Sequence, residues 1–295
     1  MIVRARDGRT LAVESWGAPD GAPVFLLHGT PGSRFGPRPR VSVLYRLGIR
    51  LIAYDRPGYG ESDRLTGRAV AHAAADVEAI ADDLGLQEFA VVGRSGGGPH
   101  ALACAVLLGE RVSRAAVLVG LAPRDAEGLD WYAGMTASNV SEYMTAEVGP
   151  LALAARLGVN AALMRRDPAA HLPFHDPELP EPDRRVVADF GIRSMLVSNF
   201  AEAVKTSGLG WVDDAVSFIS GWGFDPGDAD APVLFWHGAE DVFSPVRHTL
   251  WLARRVPRST TVIESGAAHF GAVAVLPQVL SWVVVGRTRD WPSAA

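Results

Sequence analysis

The stretch VVGRSGGGPHALACA, residues 91–105, sets one serine among glycines, directly after apolar β-forming residues and directly before a helix-like segment. Gly93-Arg94-Ser95-Gly96-Gly97 fits G-x-S-x-G. Between a strand and a helix, that pattern holds a nucleophilic serine on a turn too tight for bulky neighbours. The start of the helix also presents backbone N–H groups to developing negative charge. The bland alternative is a glycine-rich turn with an incidental serine. The strand-to-helix context favours the nucleophile.

A serine hydroxyl needs a base, and the base needs an acid to orient it. One of the several chain orders such sets take is Ser, Asp or Glu, His, and the C-terminal third supplies both partners in that order. PVLFWHGAEDVFSP (232–245) reads as a strand and a loop carrying Glu240 and Asp241, and TVIESGAAHFG (261–271) as a strand and a loop carrying His269. Eight histidines compete for the base. His28 and His237 end predicted strands, and His72 and His248 lie on helical patterns. His100 is read as pointing away from the Ser95 turn, and His171 and His175 lie in a proline-rich loop. Only His269 combines the order, a loop after a strand and small neighbours. Asp241 is preferred to Glu240, because two adjacent carboxylates cannot both face one histidine, and Asp125 is the rival location. The oxyanion of an acyl-transfer intermediate needs two donors. The expected pair is the backbone N–H of Gly96 and of Thr30, the latter in LLHGTPGSR (26–34), where Gly29 and Gly32 permit a bend.

These residues need a scaffold. PVFLLH (23–28), IRLIAYD (49–55), FAVVG (89–93), AAVLVG (115–120), PVLFWH (232–237) and TTVIES (260–265) are short, continuous apolar or β-branched runs. Such strands are buried on both faces of a parallel sheet, while LAVESW (11–16) alternates like an edge strand. Between them lie helical periods, such as residues 71–86 with Val77, Ile80, Ala81 and Leu84 on one face. The alternation predicts a doubly wound α/β fold, a mostly parallel central sheet flanked by helices. It breaks once. Residues 122–228 carry helical patterns over 137–157, 183–205 and 209–220, with a proline-rich loop at 165–183, and are read as a helical cap. Residues 1–121 and 229–295 form the core. Trp131 and Trp211 are read as substrate-facing, although most cap aromatics are expected to pack.

The chain has 295 residues, a net charge of −5 and scattered basic residues. Nothing marks a nucleic-acid footprint. The lone Cys104 provides neither disulfide nor cysteine metal site and reads as a small buried hydrophobe. No apolar run spans a membrane, and the polar N-terminus carries no secretory signal, so a cytoplasmic protein is expected. A small-molecule substrate is the expected partner, and a homodimer stays open. The chemistry calls for no metal or cofactor.

HGTPGSR, DRPGYGESD (55–63), GRSGGGPHAL, WHGAEDVFSP and GAAHFG occur in that order. Together they resemble the α/β-hydrolase superfamily, in its capped esterase or peptidase-like form, over nearly the whole chain. The resemblance implies that fold, a Ser95–Asp241–His269 triad and serine acyl transfer, with DRPGYGES as a structural turn. Two departures stand out. Arg94 occupies a position where many relatives have His, and could bind an acidic substrate group or pack. Gly266-Ala267-Ala268-His269 replaces the usual G-x-G-H. The implied activity is hydrolysis of a small or medium hydrophobic ester or lactone. Proline-iminopeptidase-like cleavage, with Glu142, Asp213 or Asp214 holding the amine, carbon–carbon bond hydrolysis and cofactor-free peroxidase activity remain open. So does a non-catalytic ligand-binding role.

Overall fold

The computed structural model describes residues 1–170 and 177–286. The chain opens with β1 (Ile2–Arg4), β2 (Thr10–Gly17), β3 (Ala22–Leu27), α1 (Val41–Leu47), β4 (Ile49–Tyr54), α2 (His72–Asp83), β5 (Phe89–Arg94), α3 (Gly97–Leu107) and β6 (Val112–Leu118). An insertion of helices follows: α4 (Ala137–Val148), α5 (Pro150–Arg166), α6 (Glu181–Ala188), α7 (Phe190–Ala203) and α8 (Leu209–Ile219). The chain then returns to the sheet with β7 (Val233–Gly238), α9 (Arg247–Arg255), β8 (Ser259–Glu264), α10 (Gly271–Ala274) and α11 (Leu276–Val285).

The strands form one sheet, ordered β1-β2-β4-β3-β5-β6-β7-β8. The β1–β2 and β2–β4 pairs are antiparallel and the others parallel. Side chains alternate across it. Phe25 and Leu27 of β3 join Val77, Ile80 and Leu102 of α2 and α3 on one face. Val24 and Leu26 join Leu44 of α1 and Leu280 and Trp282 of α11 on the other. With both faces covered, β5 and β7 are buried throughout, as their continuous apolar sequences require. The strand order reverses around β3, whose neighbours are β4 and β5. Loops leaving the carboxyl ends of β3 and β5 therefore meet at a crevice, the usual ligand position of such sheets.

Three expectations change. The alternating segment at 11–16 is not an edge: β1, three residues long, pairs outside it. β8 is the opposite edge and only half-buried, so its apolar run is not enclosed on both faces. The two long helical patterns are each broken. Gly149, at φ 141°, ends α4, and Pro150 starts α5. Asp189 starts α7 by accepting the Ile192 N–H through its side chain. No described helix is long and apolar enough to cross a membrane, and Cys104 is buried without a disulfide.

Candidate active site

Ser95 sits between β5 and α3 at φ 54°, in the left-handed region that disfavours a serine. The surroundings enforce this. Its N–H donates to Leu118 O at 2.8 Å, and its carbonyl accepts the Gly98 N–H at 2.8 Å. A Cβ on Gly93 would strike Gly97 O, and one on Gly97 would lie 2.7 Å from His28 O. Both outer glycines of the motif are thus demanded by close approach. Backbone strain held in this way is typical of a functional turn.

The loop after β3 lies against this turn. A methyl on Gly96 would come 2.9 Å from Thr30 Cβ and 3.0 Å from the Phe218 ring. Among the described residues, neither the Gly96 nor the Thr30 N–H donates to a protein acceptor. Two free donors flanking one serine match the requirement for holding an oxyanion. Gly29 and Gly32 serve this loop differently from expectation. Neither has positive φ. Each is needed for approach: a methyl on Gly29 would sit 3.3 Å from Ser95 Cβ, and one on Gly32 would sit 2.6 Å from Gly29 O.

Asp241, after β7, accepts from His269 Nδ1 at 2.8 Å, which fixes the ring with Nε2 outward. The other Asp241 oxygen accepts the N–H groups of Phe243 at 2.8 Å and Ser244 at 3.1 Å. Burial opposes charge on Asp241, but His269 and the His237 imidazole outweigh it and hold the carboxyl well below the usual range. Glu240 and Asp125 are exposed, and neither makes this contact. His269 and Ser95 line one cavity, and no hydrogen bond joins them.

The other described histidines have structural partners. His28 accepts the Arg56 N–H at 3.1 Å, His237 contacts Thr249 Oγ1 and Ser244 O, and His248 contacts Ala122 N–H and Trp131 O. His72 is exposed and contacts Ala69. His100 corrects its expected placement: it turns back to the elbow, with Nδ1 2.7 Å from Gly96 O, and burial pulls its pKa down to about 3. His171 and His175 lie outside the described residues.

The cavity has a volume of about 370 Å³. Ser95, His269, Arg94 and Thr30 meet Glu142, Tyr143, Met164, Phe200 and Trp211 of the insertion there. Trp211 faces it as expected and donates Nε1–H to Glu142 at 2.8 Å. Trp131 does not. It is 2 % exposed, packs edge-on to Tyr143 and His248, and donates to Ala122 O, so its ring serves the core. Of the three acidic residues considered for an amine, only Glu142 lines the cavity. Desolvation raises its pKa to about 7. Asp213 is tied to Arg64.

Two carboxylates of the insertion, Asp183 and Asp214, tie it to the site. Asp214 of α8 accepts from Arg68 Nη2 and Thr30 Oγ1 at 2.6 Å, from Arg56 Nη2 at 2.5 Å and from Tyr59 Oη at 2.8 Å. Arg56 in turn donates to the carbonyls of His28 and Gly29, at the base of the oxyanion loop. Asp183 of α6 accepts the N–H groups of His269 at 3.2 Å and Phe270 at 2.7 Å. Sequence reasoning missed Asp183 and considered Asp214 only as a candidate to hold a substrate amine. One signal was available: Asp214 lies at i+3 from Trp211 and i−4 from Phe218, on the apolar stripe of α8.

Residues 22–273 match the α/β hydrolase fold family. A non-heme haloperoxidase of Rhodococcus erythropolis is 34% identical over 123 residues, 41% of this chain and 44% of that protein, so the match spans less than half of that relative. A 2-hydroxymuconate semialdehyde hydrolase of Pseudomonas putida is 28% identical over 270 residues, 85% of this chain and 82% of that protein. An esterase from Rhodococcus sp. ECU1013 shares the fold with a TM-score of 0.69 at 23% identity, covering 97% of this chain and 98% of that one. By the extent of the family match and the sheet order and elbow geometry described above, this chain belongs to the α/β hydrolase fold family.

Proposed function

We propose that the protein is a serine hydrolase that cleaves a small or medium carboxylic ester or lactone through an acyl-enzyme, with Ser95 as nucleophile, His269 as base and Asp241 as its orienting acid. The observation that carries this reading is the buried Asp241–His269 pair opening onto the same cavity as a serine held at positive φ. With substrate bound, Ser95 Oγ closes on His269 Nε2; such contacts commonly tighten only in the complex. His269 takes the hydroxyl proton as Oγ bonds to the acyl carbon, and the Thr30 and Gly96 N–H groups receive the oxyanion. His269 then protonates the departing alkoxide oxygen, the ester C–O bond breaks, and water deprotonated by His269 releases the acid. No step needs a metal or cofactor.

The helical insertion would act as a cap, since α4, α5, α7 and α8 supply Tyr143, Met164, Phe200 and Trp211 to the cavity. Relatives named haloperoxidase and bifunctional esterase/perhydrolase, each over 41% of the chain, agree with chemistry of this kind. A second reading, a hydrolase acting on a semialdehyde acid, rests on the relative matched over 85% of the chain. A prolyl peptidase has less support: Asp213 and Asp214 are engaged by arginines, and Glu142, the one of the three that lines the cavity, already accepts the Trp211 N–H.

The test is turnover of p-nitrophenyl acetate through decanoate beside proline p-nitroanilide, with fluorophosphonate labelling of Ser95. Ester hydrolysis lowered about 10⁴–10⁶-fold by Ser95→Ala is expected. An unlabelled Ser95 with no turnover would overturn the acyl-transfer reading in favour of a binding role.

A further inference from the structure

We propose that Arg94 makes this a site for substrates whose acyl group carries its own carboxylate, such as the half-ester of a short dicarboxylic acid. The inference rests on the serine-hydrolase reading above and names its substrate class.

Four arginines in the described chain are nine-tenths buried: Arg34, Arg56, Arg68 and Arg94. Three have carboxylate partners inside the protein. Arg34 pairs with Asp55, and Arg56 and Arg68 pair with Asp214. The Arg94 side chain, 9 % exposed, makes no hydrogen bond or ion pair with any described residue. A buried charge without a partner is costly. Burial draws the Arg94 pKa down to about 10, so the guanidinium stays charged at neutral pH. The nearest acidic influence on it is Asp183, whose two oxygens are occupied by the His269 and Phe270 N–H groups.

Among these four, only Arg94 thus lacks a carboxylate partner, and it lines the catalytic cavity. The other arginine there, Arg156, already donates to Ser141 Oγ at 2.6 Å and Thr145 Oγ1 at 3.1 Å. A guanidinium presents paired donors that match a carboxylate. Its location also limits the ligand. A methyl placed on Gly29 would touch both Ser95 Cβ, at 3.3 Å, and Arg94 Nη2, at 3.7 Å. The anion must therefore lie only a few bonds from the carbonyl that Ser95 attacks.

The test compares monoethyl succinate with its uncharged near-isostere ethyl 4-oxopentanoate, by acid release, on wild type, Arg94→Gln and Arg94→Lys. Wild type should prefer the charged ester in kcat/KM. Arg94→Gln should reduce that preference about 10–100-fold, chiefly through KM, the range expected for losing a hydrogen bond to a charged group, and Arg94→Lys should restore part of it. Wild type hydrolysing the neutral ester equally well would overturn the inference even if the variants fail to fold. So would an equal loss on both esters in Arg94→Gln, which would place Arg94 at the oxyanion instead. Ser95 labelled by fluorophosphonate with only the neutral ester cleaved defeats this inference alone. Ser95 unlabelled with neither ester cleaved defeats the hydrolase reading and this one with it.

Discussion

Asp214 accepts the Thr30 hydroxyl hydrogen bond at 2.6 Å, across 184 residues of chain. A carboxylate in the helical insertion thereby fixes the loop that carries one of the two proposed oxyanion donors. Burial opposes its charge, yet Arg56 and Arg68 outweigh burial and hold its carboxyl well below the usual range.

Removing the charge should leave Arg56 and Arg68 unmatched. Asp214→Asn is expected to destabilise the protein by about 3–5 kcal/mol, the range for breaking a buried pair, measured by urea unfolding. Thr30→Val removes only the hydroxyl and keeps the backbone N–H. It should cost about 1–2 kcal/mol and lower kcat more than it raises KM.

Adjacent carboxylates should behave in opposite ways. Asp241→Asn is expected to reduce kcat about 10⁴-fold, because the amide no longer holds His269 in the productive tautomer. Glu240, exposed, should tolerate Gln with activity changed by no more than about 2-fold, surface changes being mostly near neutral. Steady-state kinetics of the pair decides which carboxylate orients the base.

Gly96→Ala should act by crowding. The added methyl would meet Thr30 Cβ at 2.9 Å and the Phe218 ring at 3.0 Å. A stability loss of about 1–3 kcal/mol is expected from such overpacking. With the Thr30 loop displaced, kcat should fall about 10²–10³-fold, as for a lost oxyanion donor. Thermal melts and kcat measured together distinguish this from simple unfolding.

Glu142 predicts a pH effect. Desolvation raises its pKa from 4.5 to about 7 in the fold. Between those values the unfolded chain releases a proton that the folded chain keeps, so stability falls as pH rises through that window. Glu142→Gln keeps an acceptor for the Trp211 N–H and removes the penalty. Its Tm relative to wild type should therefore rise from pH 4 to pH 8; a difference that stays flat would show that Glu142 ionises normally.

Local signals carried most of the sheet. Continuous apolar runs identified β3 through β8, and the glycines around Ser95 announced the elbow, because both are set by neighbours within a few residues. What escaped depends on distant contacts. The three residues of β1 are too short for any pattern. Trp131 looked like a pocket ring, but its indole N–H reaches Ala122 O and its ring stands nearly perpendicular to that of His248. Asp213 and Asp214 read as possible amine holders, but Arg64, Arg56 and Arg68 from some 150 residues upstream engage them. Asp241 was chosen over Glu240 by exclusion, and the structure adds the reason: only Asp241 lies buried against the His269 ring.

The two carboxylates of the insertion also bear on how such a chain can be recombined. Asp183 supports the backbone of the His269 loop, and Asp214 the Thr30 loop. A chimera with a foreign helical segment between β6 and β7 would therefore exchange more than a lid over the pocket. It would remove struts from beneath two of the loops that meet at Ser95, so specificity and catalytic geometry in this chain are inherited as one unit.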